Sequence, residues 1–300
     1  MAAPLLMLVA SFLFATMGVC VKLASAHYAP GEIVFYRGLI GALTLAGLTR
    51  WRGGSLRTAV PAMHFWRSLS GVGALGLWFY AIAHLPLATA VTLNYMSSVW
   101  MALFLIGGAV MLGGAGTRID SRLVLTVLMG FAGVAMVLRP TVEHDRLWPG
   151  LVGLLSGMLA ALAYLQVTAL GRAGEPEYRV VFYFSLGSVA AGLATMLADT
   201  AHPHTPTGLL WLVAVGVLAT VAQMMMTRAY SIGRTLVNAS LQYLGIAFSF
   251  VYGVLVFGDA VRPLALALGG MVLIVAAGLA ATGLRSRTPA ADTARAAADS

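Results

Sequence analysis

Two polar-aromatic pairs, Asn94-Tyr95 and Gln242-Tyr243, interrupt long runs of apolar residues. They close near-identical strings, Thr92-Leu93-Asn94-Tyr95 and Ser240-Leu241-Gln242-Tyr243, in which only Thr→Ser and Asn→Gln differ. A carboxamide donates and accepts hydrogen bonds without carrying charge, and a phenol adds a flat apolar face with one polar atom. Such groups suit a small molecule that joins a ring to neutral hydrogen-bonding groups. Trp78, Tyr80, Trp100 and Tyr164 lie in equally apolar stretches, and Gln223 precedes the adaptable thioethers Met224-Met225-Met226. The candidate substrate-binding set is therefore Trp78, Tyr80, Asn94, Tyr95, Trp100, Tyr164, Gln223, Gln242 and Tyr243. For each amide the alternative is an interhelical hydrogen bond, worth about 0.6 kcal/mol in a membrane bundle. For each ring the alternative is packing or lipid contact.

Other chemistries lack their apparatus. The ten acids lie in predicted loops, span ends or the tail, and the sequence holds one cysteine, Cys20. No paired carboxylates, metal-ligand cluster or nucleophile elbow is legible, so no catalytic residue, cofactor or metal is expected and the chain does not read as an enzyme. Lys22, Arg37, Arg67 and Arg228 each fall within about two turns of a predicted span end, where a long cation can snorkel to the interface. Arg37 has two further options: pairing with Glu32 or holding a substrate carboxylate. His84, beside a turn, reads as interfacial.

The elements that position these residues follow from composition. The 300 residues are 60% hydrophobic and 9% charged, with a mean hydropathy of +0.90. A soluble domain carries about 25% charged residues. An all-α integral membrane protein is the consistent reading. Stretches long enough for a bilayer core of ~30 Å, about 20 residues each, fall at ten places. They are 3–25, 32–49, 63–84, 88–112, 121–138, 150–171, 177–198, 208–231, 235–257 and 262–284. The first lacks a preceding cation and exceeds a signal-peptide core, so it reads as retained. Every proline falls near a predicted end, which predicts continuous helices. Gly71, Gly73, Gly76, Gly153 and Gly157 are placed for close helix contact. The stretch 285–300 reads as a disordered cytoplasmic tail.

The repeated strings lie 148 positions apart, and Val34-Phe35-Tyr36 returns as Val181-Phe182-Tyr183. This echo divides the chain into a first five-helix repeat, 1–140, and a second, 148–284. Five is odd, so the second repeat is inverted, an arrangement that places a binding site near the midplane and permits alternating access. Arg50, Arg52, Arg57, Arg118, Arg122, Arg172, Arg179, Arg234, Arg285, Arg287 and Arg295 fall on one side. Arg139, Arg146 and Arg262 fall on the other. The positive-inside rule then puts both termini in the cytoplasm. The net charge of +8 thus follows topology and does not point to nucleic acid.

The string Tyr80-Ala81-Ile82-Ala83-His84-Leu85-Pro86-Leu87-Ala88-Thr89-Ala90 and its echo Ala229-Tyr230-Ser231-Ile232-Gly233 resemble the EamA family of the drug/metabolite transporter superfamily over about residues 5–284. Members usually carry a Gly-Glu pair after the ninth span, where this chain has Gly258-Asp259. The aromatic-rich helices look most similar to YddG-type exporters of aromatic amino acids. That resemblance implies export of small amphipathic metabolites, aromatic or hydrophobic amino acids first. A broader drug or cation exporter and a non-transporting membrane protein are the alternatives. Seventeen arginines against one lysine, with abundant Ala and Gly, suit a high-GC bacterium and hence its cytoplasmic (inner) membrane. The expected partners are the small-molecule substrate and the lipid bilayer, with oligomeric state open. With no acid in a span interior, uniport is expected.

The topology has a direct test. A cysteine placed at Ser300 is expected to react with an impermeant maleimide only from the cytoplasmic side. Labelling from outside intact cells would invert the assignment.

Overall fold

The computed structural model describes residues 2–111, 147–198 and 202–258, together with Met129. Among these residues the regular structure is helical, without strands. In chain order the helices are α1 (Ala3–Ala24), α2 (Pro30–Trp51), α3 (Pro61–His84), α4 (Leu87–Tyr95) and α5 (Ser97–Met111). The second part holds α6 (Leu147–Arg172), α7 (Glu177–Ala198), α8 (Pro206–Ile232), α9 (Thr235–Gln242) and α10 (Leu244–Phe257). Six stretches among the described residues are long and apolar enough to cross a membrane, and Thr89–Leu105 is a shorter apolar one. The expected spans 121–138 and 262–284, the tail and Asp259 lie outside the described residues.

Local chemistry sets the helix ends. Pro30, Pro61 and Pro206 open helices, where a missing amide proton costs nothing. The Thr205 hydroxyl accepts from the Gly208 amide at 3.0 Å and caps α8. Lys22 does not reach for water: its ammonium donates to the Leu85 carbonyl at 2.8 Å, at the C-terminal end of α3, and lies 5.6 Å from the Phe257 ring.

Helix continuity fails at two places. The path from Leu87 to Met111 breaks at Met96, and that from Thr235 to Phe257 breaks at Tyr243. No proline is involved. Instead Val99 N bonds to Met96 O at 2.9 Å and Ile246 N to Tyr243 O at 3.0 Å, tightened i→i+3 turns that interrupt the α pattern. The breaks directly follow Asn94-Tyr95 and Gln242, so the two related strings end their half-helices alike.

The most extensive packing joins α2 with α7, α3 with α6, and α1 with α8. Exchanging α1, α2 and α3 with α6, α7 and α8 leaves this set of pairs unchanged. Glycines permit the closest approaches. A Cβ on Gly192 would lie 2.6 Å from the Phe35 backbone, and one on Gly157 would lie 2.5 Å from the Leu93 carbonyl oxygen. Gly76, in contrast, faces open space.

The contact between α2 and α7 should therefore tolerate no added methyl group. Gly192→Ala is expected to destabilise the protein by about 1–3 kcal/mol through forced separation of the two backbones. Gly47→Ala, where nothing lies within 4 Å, should be neutral or slightly stabilising. Thermal unfolding in detergent reads both, and equal melting temperatures would refute the close-packing assignment.

Candidate functional site

A cavity of about 60 Å³ sits where α1, α2, α3, α4, α6, α7, α8 and α9 converge. Helical spacing decides which side chains reach it. Met7, Ser11, Phe14 and Met17 recur at three- and four-residue steps on α1 and share a face. On α3 the same steps bring Arg67, Gly71, Ala74 and Trp78 to the cavity, and on α8 they bring Gln223 and Met226. Asn94 and Tyr95 arrive from the last turn of α4, and Gln242 from the last residue of α9. One water needs about 10–15 Å³ of such space. The cavity thus has room for a few waters, and a metabolite requires it to widen.

The amides are held by the bundle, and Gln242 keeps polar capacity in reserve. Asn94 Nδ2 donates to Ser156 Oγ at 3.1 Å, and that hydroxyl donates to the Gly153 carbonyl at 2.6 Å. Gln242 Nε2 donates to the Tyr230 hydroxyl at 3.0 Å, and the Tyr230 ring stacks on Tyr164 with centroids 5.4 Å apart. Gln242 Oε1 and Trp78 Nε1 are buried without a hydrogen-bond partner. Interhelical bonding and cavity lining are therefore not alternatives here.

The two arginines depart most from expectation. Arg37 and Arg67 do not snorkel; they are 4% and 2% exposed and line the cavity. Their guanidinium carbons lie 4.9 and 4.1 Å from the centroid of one ring, Phe184 on α7. Gly71 makes room for Arg67, since a Cβ there would collide with its Nη1. Arg37 Nη2 reaches Gln223 Oε1 at 3.5 Å, the outer limit of a hydrogen bond. Arg37 Nε, Arg67 Nε and Arg67 Nη1 have no partner. Burying a cation costs several kcal/mol. A desolvated cation–π contact returns about 2 kcal/mol, so among the described residues the positive charge at the site is uncompensated. The signal was present in the sequence: Arg67 precedes Trp78 by three helical turns and shares its face.

Of the predicted residues, the cavity brings together Trp78, Asn94, Tyr95, Tyr164, Gln223 and Gln242. Tyr80 points elsewhere, into a 310 Å³ groove shared by α2, α3 and α7, and its ring stacks on His84 at 4.1 Å. Trp100 lies past the break on α5 and stacks on Phe104 at 6.2 Å. Tyr243 forms the second break itself and is fully buried. Among the three consecutive methionines, Met226 is the one that faces the cavity.

Polar networks tie down opposite ends of α2 and α7. At the start of α2, Glu32 accepts from the Ala29 and His202 amides, each at 2.9 Å, and His202 Nδ1 lies 2.7 Å from its carboxylate. Next to it, the Tyr36 hydroxyl lies 2.6 Å from His204 Nε2. Just before α7, Glu175 accepts from Thr58 at 2.9 Å and from Arg179 at 3.1 Å, and lies 3.1 Å from His64 Nε2. Arg228 pairs with Glu177 at 2.5 Å. Glu32 and Glu175 are 2% and 8% exposed, each beside a histidine. Both lie at helix ends, outside the span interiors, yet they are buried and not solvated.

The chain is similar to known membrane transporters along most of its length. Residues 1–139 match the EamA-like transporter family. A pseudopaline exporter of Pseudomonas aeruginosa is 36% identical over 277 residues, covering 92% of this chain and 94% of that protein. A riboflavin transporter of Brucella anthropi is 26% identical over 242 residues, covering 76% of this chain and 80% of its own length. A crystal structure 20% identical in sequence superposes with a TM-score of 0.76, over 95% of this chain and 99% of that one.

The Glu175 network should make stability depend on pH. Burial alone would raise the Glu175 carboxyl, but hydrogen bonds from His64, Thr58 and Arg179 outweigh it and hold the group below the usual carboxylate range. A carboxyl whose pKa is lowered by folding contributes stability above its unfolded value, and that contribution is lost as pH falls through the folded value. Glu175→Gln should therefore melt lower than the parent at pH 7, and the gap should close below pH 4.5, the ordinary carboxylate value. A gap that stays constant down to pH 3.5 or so would mean that ionised Glu175 does not support the fold.

Proposed function

The chain belongs to the EamA-like transporter family, and from that premise we propose that it exports a small amphipathic metabolite across the bacterial cytoplasmic membrane by alternating access. The observation that carries this reading is a cavity to which α1–α4 and α6–α9 both contribute, with rings and amides from each part. Similarity to the pseudopaline exporter along nearly the whole chain supports the outward direction.

In this mechanism the two parts of the chain act as inverted repeats that rock about the cavity. The networks around Glu32 and Glu175 close opposite ends, so each must release in turn. The interruptions at Met96 and Tyr243 sit where the cavity-lining half-helices end and give those helices places to bend. The aromatic amino acid expected from the YddG-type resemblance gives way to a broader class. Neither named relative is an aromatic amino acid exporter, and a zwitterion would bring its ammonium against two buried guanidinium groups. A cation exporter meets the same repulsion, with no described acid lining the cavity.

Reconstitution tests the reading. Proteoliposomes holding the purified protein are offered a panel of radiolabelled metabolites, and protein-dependent counterflow is expected for at least one. Trp78→Ala or Tyr164→Ala should lower its initial rate about tenfold through lost ring contact, with insertion unchanged. Trp100→Ala, at a residue that does not line the cavity, should stay close to wild type. An absence of counterflow across the panel would favour a non-transporting role.

A further inference from the structure

We propose that Arg37 and Arg67 form an anion clamp inside the cavity and that the exported molecule carries two negative charges. The inference rests on the carrier reading only for the word exported; the clamp stands on geometry alone. Three observations converge on it. Both side chains are buried to 4% and 2% exposure, on different helices, and meet at one ring, Phe184, with guanidinium carbons 4.9 and 4.1 Å from its centroid. Arg37 Nε, Arg67 Nε and Arg67 Nη1 are unpartnered buried donors. The described acids are engaged elsewhere: Glu32 by His202, Glu175 by His64, Thr58 and Arg179, and Glu177 by Arg228.

Two like charges gathered on one ring repel each other, and the quadrupole of a benzene ring does not neutralise them. A structural arginine would be expected to fork onto a carboxylate or backbone carbonyls, satisfying its five donors. These two line the cavity and keep buried donors unpaired, donors of the kind that carboxylate or phosphoryl oxygens satisfy. Charge counting sets the class of ligand. A monoanion leaves one positive charge uncompensated and a zwitterion, with no net charge, leaves both, whereas a dianion brings the site to neutrality. The ring of such a ligand would meet Trp78 and Tyr95, and its remaining polar atoms could use the free Gln242 Oε1. Outward movement of net negative charge is also favoured by an inside-negative potential, which gives a uniporter a direction of flow.

The test measures binding to the purified full chain in detergent, using four probes that share a phenyl group. Phenylsuccinate offers two carboxylates, phenyl phosphate one doubly charged group, 3-phenylpropionate one carboxylate, and phenylalanine a zwitterion. The dianions are expected to bind about tenfold or more tightly than phenylalanine, and their order tells whether two carboxylates or one phosphoryl group fits better. Arg37→Met and Arg67→Met should each lose about tenfold or more of the dianion affinity. Without ligand they should melt no lower than the parent, because each removes an uncompensated buried charge. Arg67→Lys, keeping charge without the fork, should bind at an intermediate level. Equal affinity for all four probes, no detectable binding of either dianion, or methionine variants that melt lower yet bind like wild type would each overturn the proposal. Dianion binding without flux in proteoliposomes would retain the clamp and sink the carrier reading. Phenylalanine flux without dianion preference would do the reverse.

Discussion

Two guanidinium groups share one benzene ring inside a mostly apolar bundle, and much of the surrounding structure accommodates them. Gly71 gives up its side chain so that Arg67 can turn inward. Gly38 lets α2 approach α7, since a Cβ there would lie 2.7 Å from the Ser185 carbonyl. That approach brings Arg37 and Phe184 together. Gln223 offers its carbonyl oxygen at the edge of hydrogen-bonding range. Each accommodation lowers the cost of the buried charge without cancelling it. The residual cost is a stability–function trade-off located at a cavity, where a ligand of opposite charge can recover it.

The ends of the bundle follow a different logic. There the carboxylates are paired: they meet histidines, an arginine and backbone amides at short distances, although His64 Nδ1 and Arg179 Nε stay unpartnered. A network of this kind is stable while intact and is costly to open partway, because each broken bond leaves a buried polar atom unpaired. Such networks suit discrete closed and open states better than gradual loosening. Their location reinforces this, since the Glu32 and Glu175 sets hold opposite ends of the closely packed α2–α7 pair. With a small charged cavity between them, the described helices look like a carrier caught with little room for cargo.

How far all this was legible in the residues varies with the physics involved. Hydropathy located α1, α2, α3, α6, α7 and α8 to within about three residues, because a bilayer demands a fixed length of apolar helix and admits few alternatives. Asn94, Gln223 and Gln242 could be singled out because an amide facing lipid is costly, so each had to turn inward. Trp78, Tyr95 and Tyr164 could be proposed for the cavity, but so could Tyr80, Trp100 and Tyr243. Rings pack favourably in cores, cavities and lipid alike, so residue type alone does not separate these fates.

What the sequence by itself determined was the helical membrane class, the order of the spans and the inward turn of the amides. These follow from the solvent, which imposes the same rule on every residue. Only the tertiary structure decided that Arg37 and Arg67 meet at the one ring of Phe184 and do not reach the interface. Six or seven residues from a helix end, a long cation can reach water in one rotation and the bundle centre in the other. Helix rotation is set by neighbours distant in sequence, here the glycine-mediated contact of α2 with α7 and the face that α3 shares with Trp78. The breaks at Met96 and Tyr243 were likewise undetermined locally. Neither contains proline, and the first follows Leu93-Asn94, pressed against Gly157 by a closeness that exists only in the assembled fold.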